Sequence, residues 1–218
     1  MFDMFKRFAL ALFILFVIAA CDRDYRHNPL PSTSNVVILG DSLTFGTGAA
    51  TGEDYASILA SATGWHVINA GVPGNTTQDG LARLNDLLGA HESGEQKIDL
   101  LLVELGGNDF LKHVPESQTI NNLKSILSQA KARNIHIALI AIPEFSPVGA
   151  AFGTLSDHPL YEKLAVETDT PLIEDLFSDV LAKNSLKADY IHPNAAGYRV
   201  VAEKLHKALI DLGYLRKN

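Results

Sequence analysis

Cysteine, tryptophan and basic residues are scarce in this 218-residue sequence, and each shortage narrows the classes of protein that it can encode. A single cysteine, Cys21, excludes an intrachain disulfide bond. Lysine and arginine number 18 against 25 acidic residues, which gives a formal net charge of -7. An acidic chain without a basic cluster is a poor match for phosphate backbones, so no nucleic-acid partner is expected. The eight histidines show no H-E-x-x-H spacing, so no metal site is expected.

An apolar run at the N terminus is the first feature that the sequence does have. Lys6 and Arg7 precede it, and it extends from Phe8 to Ala20. A membrane-spanning helix needs about 20 apolar residues, so this run is short for a span. A basic start, a short apolar stretch and small residues before a cleavage point are typical of a secretory signal peptide, here residues 1–20. The alternative is an N-terminal anchor that stays attached to the chain.

The residues around Cys21 refine this prediction. "IAAC" resembles the lipobox of bacterial lipoproteins, in which the cysteine is lipidated and becomes the new N terminus. Residues 21–35 are polar with two prolines, and we expect them to form a tether between the lipid and the domain. Asp22 resembles a signal for retention at the inner membrane. These features predict a membrane-anchored lipoprotein of the bacterial cell envelope that faces the periplasm or the exterior.

The rest of the chain, residues 36–218, alternates short apolar runs with segments of helical periodicity. The runs predict strands, and they lack strict alternation, as is typical of strands that are buried on both faces: Val36–Leu39, Val67–Asn69, Leu100–Glu104, His136–Ala141 and Leu172–Ile173. Helices are expected at Asp54–Ala62, Thr77–Leu88, Ile120–Arg133, Tyr161–Glu167 and Asn194–Leu212. This alternation predicts one α/β domain, with a doubly wound parallel five-stranded sheet and helices on both faces.

Polar residues follow the predicted strands, at the edge of the sheet where such folds collect their chemistry. Ser42 follows the first strand in "GDSLTFG", and Asp189 and His192 occur in "DYIHPN" before the last helix. A serine hydroxyl needs a base, and a histidine oriented by a carboxylate can supply one. Taken alone, Ser42 would be an ordinary turn serine. Taken together, these residues predict a nucleophile, a base and an orienting acid.

Acyl transfer also needs donors for the negative charge that develops on the carbonyl oxygen. Gly74 in "NAGVPGNTT", the Asn108 side chain in "ELGGNDF" and the N–H of Ser42 are the candidate donors. We assign Asp41 and Asp109 to loop structure rather than to chemistry.

These four blocks resemble those of the GDSL or SGNH hydrolase superfamily, in its order and spacing, over residues 36 to about 212. Within that superfamily the chain is most similar to the bacterial thioesterase I, lysophospholipase L1 and arylesterase branch. The resemblance implies a flavodoxin-like sheet and a mechanism with Ser42 as nucleophile, His192 as base and Asp189 as orienter. It also implies an oxyanion hole of Ser42, Gly74 and Asn108, with no metal or organic cofactor.

The expected substrates are small-molecule or lipid esters and thioesters. Segment 143–159 is apolar and predicts one wall of an acyl or aryl pocket, through Phe145, Val148, Ala150, Ala151, Phe152 and Leu155. Two alternatives stay open: a cell-wall or polysaccharide O-acetyl esterase, which a cleft rich in Trp and Tyr would favour, and a non-catalytic ligand-binding lipoprotein.

Overall fold

Five short apolar segments form one parallel sheet in the computed structural model, which describes residues 27–90, 97–144 and 154–217. The strands run over these ranges: β1 Asn35–Gly40, β2 His66–Gly71, β3 Ile98–Glu104, β4 His136–Ile140 and β5 Leu172–Ile173. Their order across the sheet is β2-β1-β3-β4-β5, and every pair is parallel. The predicted doubly wound five-stranded sheet is therefore confirmed.

Helices cover both faces of this sheet. The longer ones are α2 Tyr55–Thr63, α3 Thr77–Gly89, α5 Glu116–Ala132, α6 Leu160–Thr168 and α8 Ala195–Asp211. Helices α2 and α8 pack together on one face, while α3, α5 and α6 form the layer on the other. Short helices follow three of the strands: α1 Ser42–Phe45, α4 Gly107–Leu111 and α7 Ser178–Leu181, with a 3₁₀ turn at Asn184–Leu186. No helix within the described ranges is long and apolar enough to cross a membrane.

The central strands carry the core because both of their faces are covered. Residues 36–39 of β1 and 100–103 of β3 are fully buried, as uninterrupted apolar strands require. The chain reverses its direction of travel across the sheet between β1 and β3, because β2 lies on one side of β1 and β3 on the other. Ligands of open α/β sheets bind at the carboxyl ends of the strands at such a switch point. This places the loops after Gly40 and Glu104 at the expected binding edge.

The N-terminal part of the described chain differs from the expected tether. Residues 27–34 pack on the domain as a strap, with the His27 N–H donating to Leu212 O (3.1 Å) and the Leu30 N–H donating to Tyr214 O (2.9 Å). The His27 ring stacks on Tyr214 at a centroid distance of 4.3 Å. The predicted tether of residues 21–35 is thus docked from His27 onward, because its aromatic and apolar members have partners to bury against. The predicted signal peptide and Cys21 lie outside the described residues.

Removing the strap is expected to destabilise the domain. Residues 35–218 should have a free energy of unfolding about 2–4 kcal/mol below that of residues 22–218, because one aromatic stack and two hydrogen bonds are lost. Burial, and then His136, lower the pKa of His27 below its usual 6.5. A lowered pKa means that the docked ring prefers the neutral form, so the contribution is present above pH 6.5 and is lost as the pH falls. Urea unfolding of both proteins at pH 5 and pH 8 measures the difference, which should shrink at the lower pH. An equal difference at both would contradict this account.

Candidate active site

Ser42 lies in a tight strand–turn–helix connection directly after β1. Asp41 caps the four-residue helix α1, its Oδ1 accepting the Leu43 N–H at 2.9 Å. The helix ends at Gly46, whose φ of +93° is a left-handed conformation that favours glycine. Within residues 41–44 the N–H groups of Asp41, Leu43 and Thr44 donate to side-chain carboxylates. The Ser42 N–H has no acceptor among the described residues and is available to a ligand.

The loop before α8 brings His192 and Asp189 to Ser42. His192 Nε2 lies 3.0 Å from Ser42 Oγ, and His192 Nδ1 lies 2.8 Å from Asp189 Oδ2. Asp189 Oδ1 also accepts the N–H groups of Ile191 (2.9 Å) and His192 (2.8 Å), so the carboxylate fixes the loop as well as the ring. Partial burial raises the pKa of Asp189, but the hydrogen bonds from His192 and Ile191 outweigh it and lower the pKa overall. The ionised carboxylate places the imidazole hydrogen on Nδ1 and leaves Nε2 free to accept the serine proton.

Of the predicted oxyanion donors, Ser42 and Asn108 line the cavity and Gly74 does not. Asn108, in helix α4, lines the same cavity as Ser42 and His192. Its Nδ2 donates to Asp41 Oδ2 (2.9 Å) and to Asn75 O (3.0 Å). Gly74 is exposed with φ +81°, does not line the cavity, and accepts a hydrogen bond from Lys112 Nζ at its carbonyl (2.8 Å). Asn108 thus lies beside Ser42, but both hydrogens of its amide are engaged, so the donor roles of Asn108 and Gly74 stay predictions.

Asp41 connects the Ser42 turn to Asn108, a role that the sequence did not predict. Its carboxylate joins the Ser42 turn to Asn108, with one oxygen accepting Leu43 N–H and the other accepting the Asn108 amide. Burial raises the pKa of Asp41 to about 6, against the lowering effect of those two hydrogen bonds. Asp109, by contrast, has the structural rather than chemical role that was expected, although it lies in helix α4 and not in a loop. It is fully buried and accepts the Thr77 N–H at 2.8 Å and the Thr77 Oγ1 hydroxyl at 2.5 Å.

Arg83 supports the loop that follows β2. Its half-buried guanidinium donates to Gly40 O (2.9 Å), Ala70 O (2.8 Å) and Asn75 Oδ1 (2.9 Å). These contacts tie the carboxyl ends of β1 and β2 to Asn75, whose backbone carbonyl in turn receives the Asn108 amide. The planar fork of arginine suits this role because it serves several acceptors at once. Arg83 therefore helps to position Asn108 indirectly, through Asn75.

A cavity of about 300 Å³ opens beside Ser42 and His192. Its lining is mainly apolar: Leu43, Phe110, Leu111, Ile142, Pro143, Leu155, Leu181, Tyr190 and Ile191. Asp41 and Glu144 are its carboxylate-bearing members, and no lysine or arginine lines it within the described residues. Ligand pockets of this size and character take apolar groups that a few polar side chains orient. The arrangement can hold an acyl or aryl group against a serine nucleophile.

Part of this lining comes from the segment that was expected to form the wall. Pro143, Glu144 and Leu155 of segment 143–159 line the cavity. The other predicted wall residues, Phe145, Val148, Ala150, Ala151 and Phe152, lie outside the described residues. Trp65, the one tryptophan of the sequence, is buried in the core and does not line the cavity. In the part of the chain that the structure describes, no group of three or more His, Cys, Asp or Glu side chains could hold a metal ion.

A Ser–His–Asp arrangement at the carboxyl edge of an open parallel sheet defines a serine hydrolase of the doubly wound class. Residues 38–200 match the GDSL-like lipase/acylhydrolase family, and the chain belongs to that family. It is 33% identical over 186 residues to the Escherichia coli K12 protein named thioesterase 1/protease 1/lysophospholipase L1, covering 83% of this chain and 86% of that protein. It is 28% identical over 207 residues to an arylesterase of Vibrio mimicus, covering 92% and 96%.

Solved structures agree with this assignment. The crystal structure of TesA is similar with a TM-score of 0.69 and 28% identity, covering 82% of this chain and 99% of that one. The structure of AlinE4, an SGNH-hydrolase family esterase, has a TM-score of 0.63 and 30% identity, covering 83% and 97%. Each likeness covers more than four fifths of this chain. The flavodoxin-like fold and the superfamily expected from the sequence are therefore confirmed.

Proposed function

We propose that this protein hydrolyses carboxylic esters or thioesters through an acyl-enzyme on Ser42. The observation that carries the proposal is the unbroken contact series from Ser42 Oγ through the His192 ring to Asp189, at 3.0 and 2.8 Å. A serine hydroxyl becomes a useful nucleophile when a neutral imidazole within hydrogen-bond reach takes its proton. The apolar cavity beside this series supplies a place for the acyl group.

The steps follow from the positions of these groups. Ser42 Oγ attacks the carbonyl carbon while His192 Nε2 takes its proton, and Asp189 stabilises the imidazolium. The Ser42 N–H is available to the developing oxyanion. The Asn108 amide would join it by exchanging its hydrogen bond to Asp41 or to Asn75, and the Gly74 N–H is the third predicted donor. His192 then protonates the leaving group. Water attacks the acyl-enzyme with His192 again as base, which frees the acid and restores Ser42.

Acyl-chain preference tests this proposal. Residues 22–218 should hydrolyse p-nitrophenyl esters with kcat/KM rising from butyryl to octanoyl. Each added methylene that is buried in the cavity stabilises the bound ester by about 0.8 kcal/mol. Initial rates over a series from acetyl to palmitoyl measure the trend, with Ser42→Ala run in parallel to subtract background hydrolysis. Activity confined to acetyl esters would favour the O-acetyl esterase. No turnover of any ester would favour the non-catalytic ligand-binding protein.

We propose as well that Cys21 is lipidated and anchors the chain in the bacterial cell envelope. The "IAAC" sequence after a basic and apolar N terminus supports this, because it resembles a lipobox. His27 stacks on Tyr214 beside His136, the first residue of β4, so the strap meets the domain at the amino edge of the sheet. Ser42 follows the carboxyl end of β1 and so lies at the opposite ends of the strands. An anchored domain with its strap docked would present its cavity away from the attached membrane, which favours dispersed esters over lipids of that bilayer.

Cys21→Ser provides the test of the anchor. The full chain expressed in a bacterial host should partition into the membrane fraction, while the Cys21→Ser variant should lose the lipid, because serine cannot form the thioether. Metabolic labelling with a radioactive fatty acid detects the modification directly. Ser34→Ala serves as a control that leaves the lipobox intact. Equal labelling of the wild type and the Cys21→Ser variant would contradict lipidation at this residue.

A further inference from the structure

Glu104 is a buried carboxyl group that the mechanism above does not use. It is the last residue of β3 and is fully buried. Its Oε2 accepts three hydrogen bonds, from Asp41 N–H (3.3 Å), Thr44 N–H (3.1 Å) and Thr44 Oγ1 (2.6 Å). Its Oε1 is buried and has no hydrogen-bond partner among the described residues. A buried carboxyl group with one orphaned oxygen is costly, so its presence at this place requires an explanation.

The contacts of Glu104 surround the nucleophile. Asp41 and Thr44 lie on either side of Ser42 along the turn, and a single oxygen beneath the turn receives the N–H groups of both. Thr44 is fully buried, and its hydroxyl also contacts Tyr55 OH at 2.7 Å, which ties the turn to helix α2. The Ser42 turn is therefore fixed by the hydrogen bonds to Glu104 and by the contact between Thr44 and Tyr55.

Gly40 makes room for this arrangement. It pairs with Glu104 across β1 and β3, and a Cβ atom at residue 40 would lie 1.9 Å from Thr44 Oγ1 and 2.6 Å from Glu104 Oε2. Both separations are far below van der Waals contact, so a side chain at residue 40 would displace the carboxyl group or the threonine. The glycine before Asp41 and Ser42 is thus required by the carboxyl group that lies under the turn.

We propose that Glu104 is a positioning residue for Ser42 and that it does this as an uncharged carboxylic acid. Its Oε2 fixes the Asp41 and Thr44 N–H groups, which sets the turn so that Ser42 Oγ meets His192 and the Ser42 N–H stays available. This inference rests on the proposed function, because it assigns Glu104 to the same reaction. Glu104 does not line the cavity, and its hydrogen bonds within the described residues go to Asp41 and Thr44, so it acts through the turn and not on the substrate.

The surroundings of Glu104 favour the uncharged form. The titratable groups that face it are Asp41 from the turn, Tyr55 from α2, Tyr161 from α6 and Tyr198 from α8, and none of them is a cation. Burial raises the pKa of Glu104 well above its usual range, and the Asp41 carboxylate raises it further, whereas the three hydrogen bonds only partly offset this. Two buried carboxyl groups that repel each other without a cation beside them do not both ionise readily.

Two substitutions at Glu104 separate geometry from charge. Glu104→Gln keeps an oxygen that accepts the three hydrogen bonds and removes the ionisable group. Glu104→Leu keeps the bulk and removes the acceptor. On a p-nitrophenyl ester, Glu104→Gln should retain kcat within about threefold, while Glu104→Leu should lower kcat by about 100-fold with little change in KM, because misplacing a reacting group by about 1 Å costs that much. Glu203→Gln, on the exposed face of α8, is the matched control and should be fully active.

The pH dependence of kcat/KM distinguishes a neutral from an ionised Glu104. If Glu104 is uncharged, the wild type and Glu104→Gln should share the same acid limb. An ionised Glu104 would stabilise imidazolium, so its loss would shift that limb to lower pH and overturn the uncharged assignment. Full activity of a folded Glu104→Leu variant would overturn the positioning role.

If Glu104→Leu does not fold, Thr44→Val tests the positioning role instead. This variant keeps the Thr44 N–H and removes the hydroxyl between Glu104 and Tyr55, and circular dichroism checks its fold. It should lower kcat by about tenfold with KM nearly unchanged, because it removes one of the three contacts that set the turn. Unchanged kcat in Thr44→Val would overturn the positioning role. Failure of the wild type on every ester would overturn the proposed function and this inference together, whereas an active wild type with unaffected variants would overturn the inference alone.

Discussion

Replacing Ser42 by alanine should lower kcat on p-nitrophenyl esters by about 10⁴-fold or more, because the chain then has no group to form the acyl-enzyme. The substitution removes one hydroxyl from a partly exposed turn residue, and the turn's contacts through Asp41 and Thr44 do not involve that hydroxyl. The free energy of unfolding should therefore change by less than about 1 kcal/mol. Steady-state kinetics and urea unfolding on the same preparation measure both quantities.

A matched control makes the Ser42 result specific. Ser61 lies on the exposed side of helix α2, where its hydroxyl donates to the carbonyl of Ser57. Ser61→Ala removes the same atom far from the cavity and should keep full activity. Turnover by Ser42→Ala at a rate close to that of Ser61→Ala would contradict the assignment of the nucleophile.

Replacing Asn108 is expected to have the second largest effect. Asn108→Ala should lower kcat by about 10²- to 10³-fold, which is the cost of removing one oxyanion donor, or about 3–4 kcal/mol of transition-state stabilisation. KM should change less, because a donor to the oxyanion, the role predicted for this amide, acts on charge that develops only in the transition state. Michaelis–Menten analysis with an octanoyl ester separates the two parameters.

The isosteric variant Asn108→Asp sharpens this prediction. It keeps the shape of the side chain but turns the donor into an acceptor beside the Asp41 carboxylate and the Asn75 carbonyl, which the amide now serves. We expect Asn108→Asp to be at least as inactive as Asn108→Ala and less stable, because like charges then meet in a buried place. Asn121→Ala, on the exposed face of helix α5, is the control. An Asn108→Asp variant with near-normal kcat would rule out a donor role for this side chain.

Much of the fold could be predicted from the sequence because the strands are apolar on both faces. The first strand was expected at Val36–Leu39 and extends over Asn35–Gly40, and the fifth was expected at Leu172–Ile173, as observed. The short helices at Ser42–Phe45 and Gly107–Leu111 were not predicted, since four or five residues are too few to show helical periodicity. Their geometry depends on capping and on contacts with other segments.

The catalytic residues of the site could be predicted because their chemistry requires particular residue types. Ser42 was named from its position after the first predicted strand, and Asp189 and His192 from theirs before the last helix, and the structure places them in contact. The support beneath them was not predicted, because the partners are far apart in the sequence: Asp41 with Asn108, and Thr44 with Glu104. One signal was present, since a glutamate ends the buried run "LLLVE" and a charged residue at such a place must find partners inside the protein.

Covalent labelling tests the central claim most directly. The wild type, Ser42→Ala and His192→Ala should be incubated with a p-nitrophenyl alkylphosphonate, which adds its phosphonyl group to an activated serine with loss of p-nitrophenolate. Intact-mass spectrometry and peptide mapping then locate the added group. Our account predicts one phosphonyl group per wild-type chain, on Ser42, with no addition to Ser42→Ala and much slower addition to His192→Ala. Stoichiometric labelling of Ser42→Ala, or labelling of the wild type at another residue, would contradict it.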